Sequence, residues 1–83
     1  MYMSKEREQI NGKTFYMLDN ENIEKIEIRT IGLLDVFGKI EIDIMYKNKT
    51  KKELVGISPI DRQQIVQWLE DNKLYDKAIM YQF

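Results

Sequence analysis

Between Ile23 and Ile31 the chain alternates, with Ile26 and Ile28 separated by Lys25, Glu27 and Arg29. Successive side chains of a strand point to opposite faces, so this spacing predicts an extended segment with isoleucines on one side and charges on the other. The same period returns at Ile40, Ile42, Ile44 and Tyr46, interleaved with Glu41, Asp43 and Met45. A helix would scatter these isoleucines around its circumference, whereas a strand gathers them. The two segments are expected to pair antiparallel across a link that turns at Phe37-Gly38. Gly32-Leu33-Leu34-Asp35-Val36 breaks the alternation; its leucines are expected to finish the core, the competing reading being an apolar loop offered to a partner.

Turn chemistry supplies the remaining boundaries. Asn11-Gly12 accepts positive φ at both positions and predicts a hairpin between a polar arm, Ser4 to Ile10, and a strand over Lys13 to Leu18. Asp19-Asn20-Glu21-Asn22 reads as a loop. Lys47-Asn48-Lys49-Thr50 reads as a second hairpin tip, followed by a strand over Lys51 to Ile57. Ser58-Pro59-Ile60-Asp61 opens a helix, with Ser58 as N-cap, Pro59 at the first helical position and Asp61 near the positive end of the dipole. Ile65, Val66, Trp68 and Leu69 form its apolar stripe opposite Arg62, Gln63, Gln67 and Glu70, and Asp71-Asn72 ends it with Asn72 left-handed. In the tail, Ile79, Tyr81 and Phe83 alternate as a strand would; a short helix on Leu74, Ala78 and Tyr81 is the alternative.

These elements predict an α+β fold, an antiparallel β-meander of four to five strands packed against one helix over 59–71. The 83 residues make a single domain, 1–83, with 1–5 expected to be disordered. A core of this size supplies only ~3–5 kcal/mol, and with no cysteine no disulfide adds to it. A homodimer is therefore an expectation from the outset, and the Met80 to Phe83 segment must pack on this core or on another subunit.

Composition then narrows the functions. The 13 Lys and Arg nearly cancel the 14 Asp and Glu, leaving a net charge of −1 and no broad positive field for nucleic acid. The first ten residues are not a secretory signal and no apolar run approaches membrane-spanning length, so a cytoplasmic location is expected. Asn48-Lys49-Thr50 is accordingly read as a chance sequon. An excess of isoleucine and lysine fits an AT-rich bacterial, phage or mobile-element source.

Without cysteine or histidine, thiol catalysis and every histidine-dependent triad are excluded, and no phosphate-cradling glycine motif occurs. Carboxylates remain. Glu41 and Asp43 share one strand face and Glu27 stands across from them, a set able to do acid–base work or hold a hard cation. The plainer reading is a solvated sheet face balanced by Lys25, Arg29 and Lys39. Asp19 to Asn22 lacks the central glycine and distal glutamate of a calcium loop. Lys47, Lys49, Lys51 and Lys52 could contact phosphate, or simply keep a hairpin tip hydrated. Trp68 is read as core before interface anchor.

The leading expectation is a non-catalytic protein-interaction module, an inhibitor or adaptor from a phage or mobile element that acts on a bacterial host protein through Leu33, Leu34, Tyr81 and Phe83. The alternatives are a nucleic-acid-binding module built on the 47–52 hairpin with Tyr46, and a metal-dependent carboxylate hydrolase using Glu41 and Asp43. No cofactor is called for by any motif in the chain.

Overall fold

The structure is a computed structural model that describes residues 7–31, 38–57 and 59–82. Strands β1 (Glu8–Gln9), β2 (Ile23–Ile31), β3 (Lys39–Tyr46), β4 (Lys51–Gly56) and β5 (Ala78–Gln82) form one sheet in the order β1-β4-β3-β2-β5, and helix α1 spans Pro59–Asp71. The β2–β3 pair is antiparallel with Ile26 opposite Ile44 and Ile28 opposite Ile42, as the alternation predicts. A bulge between Ile23 and Lys25 inserts one residue, so Ile23, three positions before Ile26, turns to the same buried face.

The sheet is mixed, which corrects the purely antiparallel meander. β1 runs parallel to β4, and β5 runs parallel to β2. The reason lies in the connections: α1 carries the chain back along the sheet between β4 and β5, and a crossover of that kind delivers a parallel strand. The 10–22 segment makes a second crossing, from β1 at one side to β2 on the other side of β3. β3 alone runs against the other four.

One face of the sheet holds the core. Ile23, Ile26, Ile28, Ile40, Ile42, Ile44 and Leu54 lie beneath Ile65, Trp68 and Leu69 of α1, with Ile10 and Leu74 closing the margins. Val66, placed on the apolar stripe by its spacing, is 38% exposed, and the helix buries only the narrower band of Ile65, Trp68 and Leu69. At the start of α1 the Asp61 carboxylate accepts a hydrogen bond from the Ile57 N–H (2.9 Å), and a Cβ at Gly56 would lie 2.9 Å from the Asp61 Cβ. Only glycine lets β4 end so close to the first turn.

Three local expectations are corrected. The strand over Lys13 to Leu18 is a 3₁₀ turn at Thr14–Tyr16, where Phe15 stacks on Trp68 with ring centroids 4.9 Å apart. Aromatic strand preference reflects packing on a half-buried surface, and here the helix provides that surface instead. Asn11-Gly12 is no hairpin: the Asn11 side-chain oxygen accepts the Lys13 N–H (2.8 Å), a local Asx turn that steers the chain into the 3₁₀ turn. Asp19–Asn22 contains a further 3₁₀ turn, Asn20–Asn22.

At the C-terminus of α1 the left-handed residue is Lys73 (φ 55°), one position after Asn72. The Leu74 N–H donates to the Leu69 carbonyl (2.9 Å) and the Lys73 N–H to that of Glu70 (3.2 Å), a Schellman arrangement that buries Leu74 beside Leu69. Burying that leucine sets the register of the cap. A 3₁₀ turn, Tyr75–Lys77, then leads into β5, so the tail is a strand. Among the described residues no helix is long and apolar enough to cross a membrane. Ser58, the Phe37 turn, and residues 1–5 lie outside the described residues.

Ile42 is fully buried, so Ile42→Ala is expected to cost ~2–5 kcal/mol, comparable to the whole stability of so small a domain, and circular dichroism should show a largely unfolded chain. Ile60→Ala, at an exposed position, should stay within about 0.5 kcal/mol in urea titrations. Lys73→Gly relieves a side chain from left-handed backbone and should raise the unfolding midpoint, a gain of about 1 kcal/mol.

Candidate functional site

The face of the sheet opposite α1 carries the charged half of each alternating strand. Glu27 stands directly across from Asp43, and Arg29 across from Glu41. What the alternation does not foretell is the guest at their centre: Arg7, two residues before Gln9, brings its guanidinium over β3. Its Nη1 donates to Asp43 Oδ1 (2.6 Å) and its Nε and Nη2 lie 3.5 Å from Glu41 and Glu53. From the other side Arg29 Nη2 donates to Asp43 Oδ2, and its Nε lies 3.6 Å from Glu41. Lys39 Nζ adds a contact to Glu41 at 3.5 Å.

Three cations therefore meet three carboxylates in one sheet-spanning cluster. Asp43 at its centre is only 8% exposed. Burial alone would raise its pKa, but the hydrogen bonds from Arg7 and Arg29 outweigh it and hold the carboxyl below its ordinary range. The bond to Asp43 in turn raises the Arg29 pKa. A carboxylate with both oxygens held by guanidinium groups is a weak proton acceptor. Among the described residues no three acidic side chains converge as a metal site would require. The cluster neutralises charge on the open face and, through Arg7, ties the start of β1 to β3 and β4.

The lysines diverge. Lys47 and Lys49 sit on the four-residue tip between β3 and β4, with Lys49 left-handed (φ 73°). Lys51 pairs in register with Met45 on the open face, and Lys52 with Ile44 on the α1 side. Lys49 Nζ lies 3.2 Å from Glu24, and Lys52 Nζ 3.0 Å from Glu8. The four ammonium groups are thus not gathered into one phosphate-sized patch.

Beside α1, Phe15, Tyr16, Asn20, Gln64, Gln67 and Asn72 border an open groove of about 550 Å³. Its polar side chains are largely engaged with one another: the Trp68 indole N–H donates to Asn20 Oδ1 (3.0 Å), Asn20 Nδ2 to Asn72 Oδ1 (3.2 Å), and Asn72 Nδ2 to the Trp68 carbonyl (3.0 Å). Trp68 is core, its indole N–H satisfied.

Of the residues expected to meet a partner, Leu33, Leu34 and Phe83 lie outside the described residues, while Tyr81 lies on β5. That strand borders the sheet, and Ile79, Met80 and Tyr81 on it are 41%, 59% and 38% exposed. The run Ala78–Gln82 contains no charge and no proline. Edge strands are normally blunted by charge, proline or shortness. The other border, β1, is blunted in that way, being two residues long and carrying Glu8. Among the described residues β5 has none of these guards, and the tail's alternation is the signal that points to a strand there.

The Asp43 cluster makes stability pH-dependent. Because the folded pKa is depressed, this contribution is complete above the ordinary carboxyl value of 3.8 and drains away as pH falls through the lower folded value. Asp43→Asn should cost about 2 kcal/mol at pH 7, and the gap to the parent chain should close progressively in acid; urea titrations from pH 7 to pH 2 measure it. No family model, curated protein or solved structure matches this chain, so its chemistry is read from these side chains alone.

Proposed function

We propose that this chain is a non-catalytic protein-interaction module, of the inhibitor or adaptor kind, that takes an extended strand of another protein chain onto the outer edge of β5. The observation that carries the reading is an uncharged border strand whose Ile79, Met80 and Tyr81 side chains are exposed. Main-chain groups on such an edge supply affinity, and alternate side chains above and below supply selectivity. Two further features support it. Asp43, the most buried of the carboxylates that could do chemistry, has both oxygens held by Arg7 and Arg29. Two of the four hairpin lysines face carboxylates of their own, which lowers the positive potential that a phosphate backbone would need.

Met80→Lys places a charge on an already exposed side chain and should leave the fold intact, within about 0.5 kcal/mol. It should weaken binding to any protein that the parent chain binds by at least ~10-fold in calorimetric titration, since lysine guards an edge against pairing. The double variant Lys47→Glu, Lys51→Glu should bind that protein as the parent does. The reverse pattern, with binding to nucleic acid lost in the lysine double variant and untouched by Met80→Lys, would overturn the reading in favour of the hairpin.

A further inference from the structure

We infer that the strand added to β5 is β5 of a second copy of this chain, paired antiparallel about a two-fold axis at Met80; the inference rests on the interaction reading above and names its partner. The sequence of the strand is suited to meet itself. Antiparallel pairing centred on Met80 sets Met80 against its own counterpart, Ile79 against Tyr81 and Ala78 against Gln82. No like charges come together in that register, a condition that any edge strand bearing a lysine or glutamate at its centre would fail. Ile79 and Tyr81 share the open face because both pair with open-face residues of β2, Glu27 and Arg29. Across the axis each isoleucine therefore meets a tyrosine, a β-branched and aromatic pair of the favourable kind.

The two borders of the sheet decide the symmetry. A head-to-tail joint would have to place β5 of one copy on β1 of the next, and β1 offers two residues headed by Glu8. An isologous joint uses five residues from each copy and closes at two chains, where the head-to-tail joint would propagate. The product is a continuous ten-stranded sheet, five strands from each copy, with one α1 in each half on the same side. A joint of two five-residue strands is far smaller than the ~1,600 Å² of a standard interface, so the dimer is expected to be weak, with Kd on the order of 10⁻⁵–10⁻³ M.

The test is a charge swap at the axis, read by light scattering. The parent chain should move from 10.0 kDa toward twice that mass as its concentration rises to about 1 mM. Met80→Lys and Met80→Glu should each stay monomeric at that concentration, because each opposes its own charge, and mixing them one to one should restore the dimer. If either variant fails to fold, Met80→Cys carries the test, since the parent chain has no cysteine: it should form a disulfide-linked dimer at least ~10-fold faster than Val66→Cys on the exposed side of α1. A parent chain monomeric at 1 mM, a dimer indifferent to both variants, a mixture that does not reassociate, or equal crosslinking rates would each overturn the self-pairing. Should the parent be monomeric and yet lose a bound foreign protein on Met80→Lys, self-pairing fails while the interaction reading holds; should that binding be indifferent to β5 as well, both fail.

Discussion

A sheet whose apolar side chains all stand on one face has to be roofed, and among the described residues this chain has a single α-helix to do it. Most of the architecture follows from that constraint. To lie across the isoleucines of β2 and β3, α1 leaves the end of β4 and passes over both before the chain re-enters the sheet beside β2. The returning strand must then be parallel to β2. The 10–22 segment lays Ile10, Phe15 and Leu18 beside the helix and completes a roof that one helix is too narrow to provide. The stacking of Phe15 on Trp68 is one consequence of that shortage of cover.

The uncovered face answers a different constraint. Its central residue, Asp43, lies on the middle strand, where neighbours on both sides take it out of water. An isolated buried carboxylate would be costly, and two guanidinium groups offset that cost. Arg7 and Arg29 are suited to this because a planar fork can reach several carboxylates at once, which a lysine ammonium cannot. The cluster holds the short β1 segment in place and pairs Glu41, Asp43 and Glu53 of the open face with Arg7, Arg29 and Lys39.

The interaction proposed above lies at the border of the sheet. Of the two edge strands, one is brief and carries a carboxylate; the other is longer, uncharged and greasy on both faces. Small domains without disulfides have little stability to spare, and covering such an edge with another chain both hides its main-chain groups and enlarges the core. The same strand thus connects the modest size of the domain to its reading as an interaction module, and the self-complementary order Ile79-Met80-Tyr81 connects that reading to a second copy.

Alternation and helical spacing, both local, were sufficient for the sequence to determine β2, β3, β4, the extent of α1 and the burial of Ile26, Ile28, Ile40, Ile42 and Ile44, and they favoured a strand over a short helix for the tail. They also placed Glu27 against Asp43. Whatever depends on long-range placement was decided by the tertiary structure: the parallel setting of β1 and β5, the conversion of the Phe15 segment to a 3₁₀ turn against Trp68, and the left-handed Lys73 demanded by burying Leu74. Arg7 is the clearest instance, for its partner is 36 residues away and no local pattern relates them. Periodicity reports which face a side chain takes, but it says nothing of which strand lies alongside, and that neighbour is what makes an edge, a charge cluster or a site.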